Sequence, residues 1–169
     1  MNVWQTLTDI PGNEASVVTI GNFDGMHNGH KKVISTCIER AHKLGVDAVA
    51  ITFDPHPIQV HKPEVGLQLI SPLRDRLDAM AAAGLDATLV AHYDASVYSL
   101  EAEEFVYEYL VERCGAREVV VGEDFRFGRG NAGTIDTLRE LGRRYGFNVI
   151  TVTDIEAPEG RRWSSSWVR

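Results

Sequence analysis

Two histidines and three glycines lie close together near the start of the chain, in the segment Gly-Asn-Phe-Asp-Gly-Met-His-Asn-Gly-His at 21–30. The segment follows an apolar, β-branched run at 17–20 and leads into a helical pattern. Glycines let a backbone approach phosphate oxygens, and a helix start offers unpaired N–H groups and a positive dipole end. His27 and His30 can add hydrogen bonds to a phosphoryl group whose charge is changing. The segment therefore predicts a site for a nucleoside triphosphate.

A plainer interpretation of this segment is that one histidine caps a turn and the other lies in solvent. For an isolated pair of histidines that interpretation would be preferred, but the position at the end of the first strand favours the functional one. Asp24 leaves two interpretations open. Its carboxylate can position a magnesium ion or a ligand hydroxyl, or it can close an Asx-turn before Gly25.

Two further polar segments follow later strands. In 54–57, two prolines restrict the chain and hold His56 at the sheet edge, which suits a phosphate or flavin contact; the alternative is a rigid turn with an exposed histidine. In 122–128, Phe125 and Phe127 flank an arginine and can enclose a flat ring, with Asp124 accepting a hydrogen bond from the ring edge. The alternative is that one phenylalanine packs in the core.

The last six residues, Ser-Ser-Ser-Trp-Val-Arg at 164–169, look like the first turn of a helix. Hydroxyls, helix amides and Arg169 suit the β- and γ-phosphates, whereas the alternative is simple capping. The sequence stops before this helix completes two turns, so we expect the chain to be the N-terminal portion of a longer protein.

Strand and helix patterns alternate along the chain, which predicts an α/β, Rossmann-like fold with a parallel five-stranded sheet. The strands are predicted at 17–20, 48–53, 88–91, 118–122 and 148–153, and the helices at 33–44, 72–83, 100–114 and 134–145, with Ser71 as a cap. Ligands in such sheets bind outside the carboxyl ends of the strands. Three of the polar segments follow strands, so we expect them to share one site.

Composition further limits the class of protein and its location. A length of 169 residues, with 44% hydrophobic and 24% charged residues, is typical of one globular domain. A net charge of −7 argues against a nucleic-acid scaffold or a polybasic membrane binder, and no apolar run approaches a membrane span. The two cysteines lack metal-binding spacing and the N-terminus lacks a signal-peptide pattern. These features predict reduced, buried thiols and a cytoplasmic location.

The four segments at 21–30, 52–57, 122–128 and 164–169, taken together and in this order, resemble the prokaryotic bifunctional riboflavin kinase/FMN adenylyltransferases, also called FAD synthetases. The first segment alone resembles the wider HxGH nucleotidyltransferase superfamily. The resemblance spans nearly all of the chain and implies an adenylyltransferase module over 1–169. It also implies a separate C-terminal riboflavin kinase domain that this chain lacks, so we expect no phosphorylation of riboflavin.

The resemblance implies that the phosphate of FMN attacks the α-phosphate of ATP, giving FAD and pyrophosphate with Mg²⁺ and no covalent enzyme intermediate. It implies catalytic roles for His27 and His30, and assigns other residues to two groups. ATP would contact Gly21, Phe23, Gly29, Ser165, Ser166 and Arg169, and the flavin or substrate side would contact Phe53, His56, Asp124 and Phe127. The family often has threonine where this chain has Ser166, and both carry the hydroxyl.

Two other functions remain open at this stage. The same superfamily chemistry can act on a different phosphorylated acceptor, such as nicotinamide mononucleotide, phosphopantetheine or a phosphorylated polyol. A flavin needs aromatic walls, so the loops after the second and fourth predicted strands decide between these acceptors. The other alternative is a nucleotide-binding module without turnover, in which replacing His27 or His30 would leave binding largely intact.

Overall fold

Alternating apolar runs and helical segments build a single sheet with helices on both faces. The computed structural model describes residues 1–153. The strands are β1 (Asn2–Trp4), β2 (Ser16–Ile20), β3 (Asp47–Asp54), β4 (Ala87–His92), β5 (Ala116–Gly122) and β6 (Asn148–Val152). All neighbours pair in parallel, in the order β1-β4-β3-β2-β5-β6.

The five predicted strands are confirmed, but the predicted number of strands is wrong because β1 adds a sixth. This strand has three residues and pairs only with β4, with Val3 opposite Thr88. A strand so short has no measurable alternation of apolar and polar residues. The strand pairs with a segment more than eighty residues away in the chain, and such a pairing leaves no pattern in the local sequence.

The helices are α1 (Asn28–Leu44), α2 (Pro57–His61), α3 (Leu73–Ala83), α4 (Ala95–Tyr98), α5 (Ala102–Phe105) and α6 (Ile135–Tyr145), and α5 continues as a π-helical segment over Val106–Arg113. Short 3-10 turns occupy Leu7–Asp9, Pro63–Val65 and Arg129–Asn131. Gly45 and Gly84 end their helices in the left-handed conformation, as predicted. The predicted cap is wrong, because Pro72 rather than Ser71 is the N-cap residue of α3. No helix within residues 1–153 is long and apolar enough to cross a membrane.

Successive residues of the central strands enter two different cores, because side chains alternate between the faces of a sheet. On one face, Val17 packs with α1 residues such as Ile34 and Cys37. On the other face, Val18 packs with the helices that follow β4 and with α6, which follows β5. Leu110 and Leu138 are examples of the residues in this core. Cys37 and Cys114 are buried and free, as expected.

The strand order brings the polar segments together. β2 lies between β3 and β5, so the loops that leave these three strands start at neighbouring points of one sheet edge. These are the loops that begin at Gly21, Pro55 and Glu123. The predicted shared position of the segments is therefore confirmed for the three that fall within the described chain.

Candidate active site

The loop between β2 and α1, residues 21–27, carries the histidine segment and has an unusual backbone. Phe23 and Met26 adopt positive φ angles of 54° and 42°, and Gly25 lies between them at 80°. Positive φ is uncommon for residues with a side chain and occurs often at functional sites. We call residues 21–27 the phosphate loop.

His27 and His30 form a stacked pair at the start of α1. His27 is the N-cap residue, and its Nδ1 accepts a hydrogen bond from the His30 backbone N–H at 3.3 Å. The two rings lie 3.6 Å apart between centroids, with 22° between their planes, and Phe23 contacts His30 edge-on at 5.4 Å. Both imidazoles thus lie where the amides and the dipole of a 17-residue helix favour an anion.

The environment of His30 favours its neutral form. Burial, and secondarily the neighbouring His27, lower the pKa of His30 to about 3, with Asp24 opposing the shift. Its Nδ1 atom is buried and has no hydrogen-bond partner among residues 1–153. A neutral imidazole carries one N–H donor and one acceptor nitrogen, so the His30 ring can donate one hydrogen bond to a phosphate oxygen.

Asp24 has a structural role that the sequence did not indicate. Its carboxylate is fully buried and accepts hydrogen bonds from the backbone N–H groups of Ile70, at 2.9 Å, and Ser71, at 3.0 Å. Ser71, predicted as a helix cap, instead accepts a hydrogen bond from the Gly25 N–H at 3.2 Å. These contacts tie the phosphate loop to the segment that precedes α3.

A cavity of about 350 Å³ lies next to the phosphate loop and shares Gly21 and Asn22 with it. Among the described residues, six Phe and Tyr side chains contribute to its lining: Phe53, Tyr93, Tyr98, Phe105, Phe125 and Phe127. We call it the aromatic cavity. Its size and its apolar walls suit a flat organic ring system.

The aromatic cavity contains both phenylalanines that were predicted on the flavin side. Phe53 lies near the end of β3 and is half-buried. Its ring contacts the Tyr93 ring edge-on, with 5.6 Å between the centroids. Phe127 is buried and stacks with Phe125, with centroids 5.4 Å apart and 10° between the planes. This part of the wall thus comes from the end of β3 and the loop that follows β5, and Phe127 also belongs to the core.

His56 also lines the aromatic cavity, and the alternative of an exposed histidine is wrong. The residue is 7% exposed and is the N-cap of α2, where its Nδ1 accepts a hydrogen bond from the Ile58 N–H at 3.1 Å. Capping fixes the ring in place at the cavity wall.

Asp124 is placed apart from the aromatic cavity. It is exposed and lines a neighbouring open depression with Thr134 and Arg139. Contact of Asp124 with substrate therefore stays a prediction. The predicted roles of Ser165, Ser166 and Arg169 lie outside the described residues.

Sequence reasoning missed two kinds of residue in the site. Tyr93 and Tyr98 line the aromatic cavity, and Tyr93 directly follows β4, so the same rule of strand ends could have found it. Arg76 lies in α3 and is only 1% exposed, although an arginine in a helical pattern normally indicates a surface position. Nothing in its local sequence marks it as buried.

A sequence profile of the FAD synthetase family matches residues 9–167 of the chain. The chain belongs to the FAD synthetase family. A relative from Geobacillus thermodenitrificans is 38% identical over 160 residues, which is 95% of this chain and 82% of that one. The family assignment agrees with the resemblance seen in the sequence.

Two other relatives are longer. The bifunctional riboflavin kinase/FMN adenylyltransferase of Escherichia coli K12 is 34% identical over 92% of this chain and 50% of its own length. The protein with the same description in Pseudomonas fluorescens is 36% identical over 94% of this chain and 50% of its own. The chain thus spans about half the length of these two relatives.

Solved structures agree on the fold. A structure described as a macrolide-efflux protein from Streptococcus pneumoniae superposes with a TM-score of 0.81 at 25% identity, covering 98% of this chain and 53% of that one. Pantothenate synthetase from Thermus thermophilus superposes with a TM-score of 0.63 at 16% identity, covering 99% and 67%. The second likeness shows that the α/β architecture of this chain is shared across distant sequences.

Proposed function

We propose that this chain transfers AMP from ATP to FMN, giving FAD and pyrophosphate. The observation that carries the proposal is the junction of two sites: a histidine pair at a helix start and an aromatic cavity are joined through Gly21 and Asn22. A triphosphate and a flat ring bearing a phosphate can therefore meet at one point. The names of the relatives agree with this chemistry.

The reaction is a displacement at phosphorus. A phosphate oxygen of FMN forms a bond to the α-phosphorus of ATP, and the bond from that phosphorus to the bridging oxygen breaks. Pyrophosphate leaves with the electron pair. His27, His30 and the start of α1 would offset the charge that moves onto the phosphate oxygens, and the neutral state of His30 lets it act as a hydrogen-bonding group there.

The acceptor would be held by apolar contact. We propose that the flavin ring lies in the aromatic cavity against Phe53 and Phe127, with His56 on the wall and its phosphate directed toward Gly21 and Asn22. We propose that Gly21, Phe23 and Gly29 supply the protein side of the ATP site. Phe23 does so through its edge-on contact with His30, because its own side chain is 1% exposed.

Magnesium is proposed as part of the nucleotide substrate, entering with ATP. Across residues 1–153, no group of three His, Cys, Asp or Glu side chains is arranged to hold a metal ion. Asp24 is the acidic residue nearest to the histidines in sequence, and it is fully buried with its carboxylate bound to backbone amides. We therefore assign no protein ligand to magnesium.

The roles beyond the described residues are also proposals, as is that of Asp124. Ser165, Ser166 and Arg169 would hold the distal phosphates, and Asp124 would contact substrate from the neighbouring depression. We propose that riboflavin kinase activity belongs to the half of the longer relatives that this chain does not match. We place the reaction in the cytoplasm, where ATP is made.

The test is an assay of the purified chain with FMN, ATP and Mg²⁺, in which flavins are separated by chromatography. We expect FAD from the parent, and a fall in kcat of about 10²–10³-fold for His27→Ala and for His30→Ala, because each removes a group that stabilises transition-state charge. His42→Ala, at an exposed position of the same helix, is the control and keeps parental activity.

Two results would contradict the proposal. Pyrophosphate release with nicotinamide mononucleotide or phosphopantetheine, but not with FMN, would assign the chain to another acceptor. ATP binding by calorimetry with no turnover on any of these acceptors would make it a binding module.

A further inference from the structure

Arg76 is a charged side chain buried behind the phosphate loop. From α3 its Nη1 donates a hydrogen bond to the Asn22 carbonyl at 2.7 Å and reaches the Thr52 hydroxyl at 3.3 Å. Its Nη2 lies 3.9 Å from a carboxylate oxygen of Asp54, at the end of β3. One guanidinium thus joins α3, the end of β3 and the first residues of the phosphate loop.

The stability of the fold does not explain why a cation lies there. Arg76 is 1% exposed, and burial lowers the pKa of its guanidinium, opposed by Asp54 and Asp24. Its Nε and Nη2 atoms have no hydrogen-bond partner within the described part of the chain. A buried charge with unused donors is unfavourable, and apolar replacements of buried ion pairs are often as stable or more stable.

The phosphate loop needs contacts of this kind. Phe23 and Met26 are non-glycine residues in the left-handed region, a conformation that persists only when the surrounding structure holds it. Asp24 is held by backbone groups that precede α3. Arg76 holds the other end of the loop at Asn22, which also lines the aromatic cavity.

We propose that Arg76 is a positioning residue for AMP transfer: it fixes the Asn22 carbonyl and thereby sets the phosphate loop and its histidines against the aromatic cavity. Arg76 itself touches no substrate. The inference rests on the proposed function, since the positioned groups are those assigned to ATP and FMN.

The first experiment compares steady-state FAD synthesis by Arg76→Met, Arg76→Lys and the parent. Methionine keeps much of the volume and removes the charge and the donors. We expect kcat to fall about 10- to 100-fold with little change in KM for ATP or FMN, because small misplacements of reacting groups act on the chemical step. Lysine keeps the charge and a donor and should restore part of kcat. Arg74→Met, at an exposed position on the same helix, should match the parent.

The second readout is independent of turnover. The His27 and His30 ring signals in a ¹H–¹³C correlation spectrum report the stacked geometry of the pair. We expect both signals to move in Arg76→Met and to stay in place in Arg74→Met. Ring signals that do not move, or a kcat equal to that of the parent, would overturn the inference.

A third variant covers the case in which Arg76→Met does not fold, as judged by circular dichroism. The Thr52 hydroxyl donates to the same Asn22 carbonyl at 3.2 Å, and Thr52→Val removes this bond while keeping the side-chain shape. We expect a smaller fall in kcat and a smaller shift of the ring signals in the same direction. No change in either would reject the positioning role.

The outcomes separate the two proposals. If the parent makes no FAD, the proposed function fails, while the ring signals still decide whether Arg76 orders the histidines. If the parent makes FAD and the Arg76 variants do so equally well, the proposed function stands and the positioning role does not.

Discussion

The phosphate loop and the aromatic cavity are neighbours built by different forces. The loop is short, adopts left-handed backbone angles and is held by hydrogen bonds from residues that lie about fifty positions further along the chain. The cavity is a set of rings from several strand ends that stack or meet edge-on, with few directional bonds. Gly21 and Asn22 belong to both.

This difference matches what each region has to achieve. Hydrogen bonds have strict distance and angle preferences, so they can fix reacting groups to a small fraction of an ångström. Contacts between apolar surfaces depend mainly on buried area and tolerate small shifts. Changes in the loop should therefore affect folding and rate together, whereas changes in the cavity should affect the affinity for one substrate.

The largest expected effect is on the pH dependence of stability. The folded pKa of His30, about 3, lies below the ordinary value of 6.5, so the unfolded chain binds a proton first as the pH falls. The stabilising contribution of neutral His30 is therefore complete above pH 6.5 and is lost as the pH falls toward 3. Between pH 6 and pH 4 this loss amounts to ~2.5 kcal/mol.

Urea unfolding of His30→Asn across this range measures that contribution. The free energy of unfolding of the variant should fall less steeply with falling pH than that of the parent. His42→Asn, exposed on the same helix, should follow the parent. Parallel declines for the parent and His30→Asn would mean that the loop does not hold His30 in its neutral form.

The next effect concerns the backbone of the phosphate loop. Gly25 has a φ of 80°, and a methyl group added there would lie 2.8 Å from the Ile70 side chain. Gly25→Ala should lower the free energy of unfolding by about 2 kcal/mol, from backbone strain together with this contact. Gly45→Ala is the matched control, because its φ is 67° but nothing lies within 4 Å of the added methyl. Equal losses for the two variants would show that contact with Ile70 contributes nothing.

The smallest expected effect is on KM for FMN, from a substitution in the aromatic cavity. Phe53→Leu keeps an apolar side chain but removes a ring, which contributes about 1 kcal/mol to aromatic contacts. KM for FMN should rise about 3- to 10-fold with KM for ATP nearly unchanged. Tyr107→Leu, at an aromatic position outside the cavity that is 45% exposed, should leave both constants as they are. A larger effect on ATP than on FMN would reverse the assignment of the two regions.

Most of the fold could be predicted from periodicity, because the five longer strands are apolar runs and the three longest α-helices, α1, α3 and α6, have regular spacing and glycine ends. β1 could not be predicted, since three residues carry no period and depend on β4 for their pairing. The π-helical form of Val106–Arg113 is another detail that propensities do not encode, although a helix was predicted there.

The residues of the site also divide into those that the sequence could locate and those that it could not. The histidines, His56 and Phe127 lie in segments that follow strands, and their side-chain types suggest the chemistry, whereas Phe53 was indicated by the family resemblance. The roles of Asp24 and Arg76 depend on contacts with residues 46–54 positions away, and such contacts follow from tertiary packing rather than from local pattern. Residues proposed to bind substrates were thus easier to find than residues that hold them in place.

The narrow overlap at Gly21 and Asn22 has an evolutionary consequence. Within residues 1–153, the side proposed for the nucleotide lies on the loop after β2, whereas the side proposed for the acceptor lies mainly at the ends of β3, β4 and β5. Mutations that reshape the acceptor side can accumulate without disturbing the phosphate loop, provided that they spare Thr52 and the segment 70–76 that hold it. A designer who wishes to redirect the chain to a new phosphorylated acceptor can therefore keep the phosphate loop and the residues that hold it, and diversify the aromatic side chains near the strand ends.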